Sequence, residues 1–321
     1  MNTPTTAPLR LGISACLLGE KVRYDGQHKR DAFLVDTLGA YVNYVPVCPE
    51  VECGLPVPRE AMRLVGDVAH PRLTTIRTQR DLTDPMLSWA ARRIEQLKTE
   101  NLCGFIFKAK SPSSGLERVK VYNASGDLIG SGQGLFAAAF MKAFPLLPVE
   151  DEGRLQDPDL RENFIERIFT LQRYRAALSA NNELKALQDF HAHHKYLIQA
   201  HSEAHLRSLG QLVAHSAGHR LPEATRADYE RLLLDALRLK ATPAKHLNVL
   251  QHMMGFLKNR LTADEKRELM DVFNTFRQGL IPLIVPVTLI SHYVRLYAVD
   301  YLSTQAYLNP HPLELKLRNH A

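Results

Sequence analysis

The sequence has no run of about eighteen apolar residues, the least that crosses a bilayer as a helix. Its nearest approach, residues 280–290, is short and broken by Pro282 and Pro286. The polar, Thr- and Pro-rich start, residues 1–10, lacks the apolar core of a secretion signal. No membrane partner is expected, and the protein reads as cytoplasmic. Cysteine is scarce: 321 residues contain four, Cys16, Cys48, Cys53 and Cys103. In a reducing compartment these build no disulfide framework. No CxxC pair occurs, so a zinc ribbon is excluded. A GxGxxG turn after a strand and a Walker A loop are also missing, which weakens the nucleotide-binding classes. Charge of one sign does not dominate either. Lys and Arg number 40 against 34 Asp and Glu, net +6, which permits a polyanion such as RNA without requiring one. What remains is an ordinary globular composition, 45% hydrophobic and 23% charged, in a chain long enough for two cores.

Two periodicities divide the chain. Residues 9–15, 41–47, 103–109 and 119–122 are β-rich runs, and residues 31–38, 85–100 and 134–143 between and after them have helical spacing. Strands alternating with helices predict a parallel-sheet, Rossmann-like α/β domain. From residue 155 onward only long 3.6-period segments remain: 158–178, 182–201, 202–217, 222–239, 243–257, 262–279 and 286–301, punctuated by Pro and Gly. Thr262 with Glu265 has the spacing of a capping box. An all-α domain is expected over residues 155–321 after an α/β domain over residues 1–154, with residues 144–157 as the junction. Charge barely distinguishes the halves: 19 Lys and Arg against 17 Asp and Glu before residue 155, and 21 against 17 after it. Histidine does: His28 and His70 in the first half, twelve in the second.

Three segments carry reactive side chains where strands are expected to end. They are SACLLG around Cys16, followed by Arg23-Tyr24-Asp25-Gly26; CPEVECGL from Cys48, followed by Pro58-Arg59; and KSPSSG from Lys110. Open α/β sheets bind ligands outside the carboxyl ends of their strands, so three such ends can form one site. Cys103 begins its strand and should lie roughly 20 Å from that end, at about 3.3 Å per residue. Thiols on separate loops suit an iron–sulfur cluster, yet buried cysteine is also an ordinary small hydrophobe.

These segments resemble the thiouracil desulfidase (TudS) family, which carries SACLLG, RYDG, CPE-x-x-x-GL-x-x-PR and KSPSCG, over roughly residues 9–150. The second half resembles the YbgA-type domain, in HAHHKYLIQAHS from His191 and HLNVLQHMMGFLK from His246. Their fusion is similar to bacterial tRNA 4-thiouridine desulfidases. The resemblance implies a [4Fe-4S] cluster on three cysteines with one iron open. Matched by position, the ligands are Cys16, Cys48 and residue 114, which here is Ser114 rather than cysteine. A hydroxyl is a harder ligand than a thiolate; Cys53, five residues after Cys48, is the nearest substitute. The implied reaction is hydrolytic and needs no redox partner: an open iron polarises a thiocarbonyl, water adds, and sulfide leaves. Glu50 is the expected base or acid, with Ser111 and Ser113 as donors or proton relays. Asp25 and Arg59 are read either as loop-holding ion pairs or as substrate contacts.

In the helical half, His191, His194 and Lys195 share one helix face, as do Asn248, Gln251 and His252 on another helix. Such sets either face RNA or form interhelical hydrogen bonds. His194, Lys195 and His252 are the expected RNA contacts, joined by Arg161, Arg167, Arg173, Arg175 and Lys185 on phosphates. The expected function is conversion of thiolated uracil, foremost 4-thiouridine in tRNA, to uracil with sulfide release. The rival reading is a tRNA-binding protein whose catalysis is impaired by the loss of the third cluster cysteine.

Overall fold

The computed structural model describes residues 9–319. Residues 1–8, which include most of the polar N-terminal segment read above, lie outside the described residues. The chain forms two compact units, residues 1–164 and 165–321.

The first unit runs β1 (Leu9–Ser14), β2 (Val42–Val47), α1 (Pro49–Glu52), β3 (Met62–Val65), β4 (Arg72–Thr75), α2 (Thr83–Lys98), β5 (Gly104–Phe107), β6 (Val119–Tyr122), β7 (Leu128–Gly132), α3 (Leu135–Ala143) and β8 (Val149–Asp151). The strands β2-β1-β5-β8 form an all-parallel sheet, as the alternating pattern predicts. β5 is buried along its whole length and β1 at every residue but Arg10, which explains their continuous apolar runs. Packing there is close: a Cβ on Gly12 would lie 2.2 Å from the Phe105 ring, so only glycine fits. Phe105, Phe107, Phe136, Phe140 and Trp89 fill the space between this sheet and α2 and α3.

Three details depart from the sequence reading. The run 119–122 does not join the parallel sheet. It is β6 of a second, mixed sheet ordered β4-β3-β6-β7. The parallel sheet takes its fourth strand, β8, from the segment read as a junction. That strand was hidden by its acids: Glu150 and Asp151 are both buried, and Arg154 satisfies them through 2.6 Å and 2.9 Å hydrogen bonds. Finally, residues 31–38 form no regular α-helix but a π-turn and a 3-10 turn.

The second unit contains α4 (Pro158–Leu178), within which the division falls, then α5 (Glu183–His201), α6 (Glu203–Ala214), α7 (Glu223–Arg238), α8 (Pro243–Leu257), α9 (Ala263–Arg277), α10 (Ile284–Leu296) and α11 (Asp300–Ser303). Side chains of Asn182, Ser202 and Thr242 cap three of the helix starts, and Thr262 with Glu265 forms the expected capping box. Among the described residues no helix is long and apolar enough to cross a membrane.

The core of this unit is unusually polar. Buried Glu166 accepts from Arg318 at 2.6 Å and lies 3.2 Å from His201 Nε2. Arg318 and His201 hold its carboxyl well below the usual range despite burial. His246, bonded to the Tyr307 hydroxyl at 3.0 Å, is pushed down to about 3 by burial and by Arg318. Both shifts act in one direction. The unfolded chain takes up a proton on His246 below pH 6.5 and on Glu166 below 4.5, where the folded unit resists both. Stability of this unit is therefore expected to be full near neutral pH. It should fall as pH drops below 6.5, at about 1.4 kcal/mol per pH unit for each proton withheld. Urea unfolding followed by circular dichroism across that range tests this; a flat profile would refute it.

Candidate active site

The strand order decides where the site lies. β1 connects onward to β2 on one side, and β5 connects toward β8 on the other. The loops leaving the carboxyl ends of β1 and β5 therefore diverge and open a crevice at the topological switch point. A cavity of about 430 Å³ lies there, lined by residues of all three loops predicted to converge, among them Cys16, Cys48, Glu50, Arg59, Ser111 and Ser114.

Each loop is fixed locally. After β1, residues 15–18 form a 3-10 turn closed by Gly19 in the left-handed conformation, φ 99°, with Cys16 buried in the turn. After β2, Cys48 is the N-cap of α1, and Pro49 at its first position pre-sets the helical φ. The Glu52 carboxylate accepts from the Cys48 amide at 2.9 Å and pairs with Arg93 at 3.0 Å. After β5, the serine loop sits on the start of α3. The amides of Gly134 and Phe136 donate to the carbonyls of Gly115 and Ser113, each at 2.8 Å. Gly134 is the residue that permits this approach. A Cβ there would lie 2.5 Å from the Ser113 carbonyl carbon and 2.7 Å from the Ser114 nitrogen. Neither Gly134 nor Lys108 belongs to a motif segment, so sequence reasoning missed both. Lys108 lines the cavity, pairs with Glu152 and donates its amide to Ser14 Oγ at 2.9 Å.

Glu50 is the hub. One carboxylate oxygen accepts from the Ser113 hydroxyl in a very short hydrogen bond. The other accepts from the Cys48 thiol at 3.5 Å and lies 3.7 Å from an Arg59 guanidinium nitrogen. Arg59 is itself held by the Val22 carbonyl at 2.9 Å. Behind Glu50 runs a chain of hydroxyls, with Ser111 and Ser113 2.9 Å apart and Ser113 and Ser114 3.2 Å apart. Ser111 and Ser114 line the cavity, whereas fully buried Ser113 is not among the lining residues and is linked to it by its bond to Glu50.

Burial raises the thiols. Cys16 is pushed up to about 11, with Lys108 opposing, and Cys48 to about 12 by burial and then by the Glu50 carboxylate. Both are protonated at neutral pH, so a metal bound there must displace their protons. Cys53 is raised by burial and by Glu50; its thiol donates to the Glu50 carbonyl at 3.2 Å, and it is not among the cavity-lining residues. Cys103 is buried at the start of β5, at the opposite end of the strand from the serine loop. Asp25 is exposed, paired with Arg23 and the Gln27 amide, and does not line the cavity. Of its two readings the loop-holding one fits; Arg59, by contrast, reaches the cavity.

The helical unit corrects several expectations. His194 is buried, with one ring nitrogen 2.8 Å from the Phe190 carbonyl and the other accepting from Arg173 at 3.0 Å, so it is an interior residue. Arg173 also donates to the Pro310 carbonyl and to Thr170, and buried Arg167 is likewise interior. Arg175 pairs with Glu230, and Arg161, which falls within the first unit, lies over the Phe33 ring of that same unit. These cations are engaged by partners inside the fold rather than facing solvent freely. Lys195 is half-buried and His252 exposed.

The fold and the site define a class: an α/β domain that gathers thiols, a carboxylate and hydroxyls at its switch point, followed by a helical domain. Residues 11–152 match the family described as 2-thiouracil desulfurase, and residues 195–312 match DUF1722, a family of unknown function. An uncharacterised protein of Escherichia coli (strain K12), YbgA, is 30% identical over 153 residues, 48% of this chain and 90% of its own length. An uncharacterised protein of Bacillus subtilis (strain 168), YbbK, is 30% identical over 139 residues, 41% of this chain and 89% of its own. A solved [4Fe-4S]-dependent thiouracil desulfidase, TudS, is 30% identical with a TM-score of 0.39, covering 46% of this chain and 94% of that one. The chain belongs to the family of YbgA and joins a 2-thiouracil desulfurase domain to a DUF1722 domain.

Proposed function

We propose that this protein is a desulfidase that converts thiolated uracil, foremost 4-thiouridine in tRNA, to the oxygen form with release of sulfide. The observation that carries the reading is Glu50. Its carboxylate is hydrogen-bonded to Ser113 and touches the Cys48 thiol in a cavity shared with Cys16 and Ser114.

The donor set fits an iron–sulfur cluster. Two thiols and a hydroxyl from three loops converge on one cavity, all able to bind iron once deprotonated. Cys16 and Cys48 would hold it, with Ser114 in the third position. The third position is the weak one, because a serine hydroxyl is a harder and less acidic ligand than a thiol. When bound, a [4Fe-4S] cluster supplies a Lewis-acidic iron for a soft thiocarbonyl sulfur. Glu50 accepts the proton of the water that adds to the ring carbon. The hydroxyls of Ser113, Ser111 and Ser114 pass that proton along the wall, and Arg59 steadies the Glu50 carboxylate. Water's oxygen replaces sulfur on carbon, sulfur leaves as hydrosulfide, and no electron is transferred.

The tRNA assignment draws on the fused architecture and on the helical half, which carries +4 of the net charge of +6. Lys195 and His252 are the RNA contacts we assign there. A second reading, a tRNA-binding protein with impaired catalysis, follows from Ser114. Sulfide release by anaerobically reconstituted protein from 4-thiouridine in tRNA and from free 4-thiouracil separates the two. With tRNA, KM should rise on the order of tenfold or more between low and moderate salt, because bound cations release counterions. The free base should show no such slope. Sulfide from neither substrate at full iron loading would leave only the binding reading.

A further inference from the structure

Two aromatic rings of the helical unit break its burial pattern. Phe256, near the end of α8, is 48% exposed, and Tyr301, in α11, is 37% exposed. The rings stack on one another, with centroids 5.3 Å apart and planes 29° apart. The Lys195 ammonium, reaching from α5, lies 5.0 Å from the Tyr301 ring centroid and 4.8 Å from that of Tyr196. His252, one helical turn before Phe256, is exposed. Three elements thus present an aromatic pair with a cation on it to solvent. An interior role would have buried the rings.

The charge around the pair selects its occupant. Lys258 and Arg260 follow Phe256 within four residues and are exposed. The Arg260 guanidinium donates to the Tyr297 carbonyl, which ties that cation to the segment carrying Tyr301. The acid in that segment is Asp300. Aromatic faces among cations match an unpaired nucleotide: its base has a π-face whatever its identity, and its phosphates meet the ammonium and guanidinium groups.

We propose that Phe256, backed by the Tyr301 ring stacked against it, forms a stacking platform for an unpaired base of an RNA, with Lys195 and its neighbours on the flanking phosphates. This rests on the tRNA reading above and adds to it the element that holds a base away from the reacting one. Stacking contributes affinity without ion release, so the platform and the cations separate experimentally.

The test uses the full chain. Binding of tRNA and of a single-stranded oligouridylate is measured by fluorescence anisotropy across a salt series, for the parent protein and for Phe256→Ala, Tyr301→Ala, Phe256→Trp and Lys195→Gln. Circular dichroism checks folding. Each alanine variant should bind about 5- to 100-fold more weakly with an unchanged salt slope, while Phe256→Trp keeps affinity. Lys195→Gln should lower the slope by about one. If the parent binds neither RNA, the tRNA reading fails and the platform falls with it. If the parent binds and the alanine variants bind equally well, the platform is refuted while the reading stands. Variants that change only the molecular mass by light scattering would make the pair a contact between copies, and would overturn it.

Discussion

Glu50→Gln is expected to leave the iron content of the protein unchanged and to lower turnover on the order of 100-fold or more, the usual cost of removing a general base. The amide preserves the size of the side chain and can still accept from the Ser113 hydroxyl, so the serine loop stays in place. It cannot accept a proton from water. The Arg59 guanidinium, 3.7 Å from the carboxylate, would lose its ionic partner, which makes an iron assay on the same preparation part of the measurement. Single-turnover sulfide release at matched iron loading gives the rate of the chemical step. Undiminished release would remove Glu50 as the base. Asp25 would not inherit the role, because it is exposed and outside the cavity lining.

The second large effect concerns residue 114. Ser114→Cys should raise both the iron and the acid-labile sulfide retained per chain, and turnover with them. Loss of an outer-shell partner alone typically lowers metal affinity about 10- to 100-fold, and a replaced ligand should matter at least as much. Ser114 is 3% exposed and lines the cavity, so a thiol there needs no loop movement to reach it. Its hydroxyl also ends the chain that begins at Glu50, 3.2 Å from Ser113 Oγ. A variant that gains iron but loses rate would show that this hydroxyl serves proton transfer. Equal iron in both forms would show that serine suffices as the third ligand. Cys53 is poorly placed to substitute, since its thiol bonds to the Glu50 carbonyl and it does not line the cavity.

Serine at position 114 also joins the two expectations physically. A thiolate there would be a soft, strong ligand and a poor member of a hydroxyl chain. The hydroxyl is the reverse, a hard ligand that continues the relay Ser111–Ser113–Ser114. Under the proposed function one side chain would bear on both iron loading and proton transfer, and the pair of variants reads them separately.

The sequence by itself determined the parallel strands β1, β2 and β5, because central strands buried on both faces must be continuously apolar. It determined the helices of the second unit, several bounded by local caps such as Thr262 with Glu265. It also named Cys16, Cys48, Glu50, Ser111 and Ser114, because reactive side chains at strand ends form an unusual pattern and the segments resemble a known family. Only the tertiary structure decided the rest. β8 escaped detection because Glu150 and Asp151 look like loop residues until Arg154 satisfies them in the fold. β6 went to a second sheet, between its hairpin partner β7 and the distant β3, because a strand's own composition does not name its neighbours. His194 and Arg173 pair inside the helical unit, whereas Phe256 and Tyr301 lie exposed. Spacing shows which residues share a helix face, but only the packing of the other helices determines whether that face meets solvent or the core.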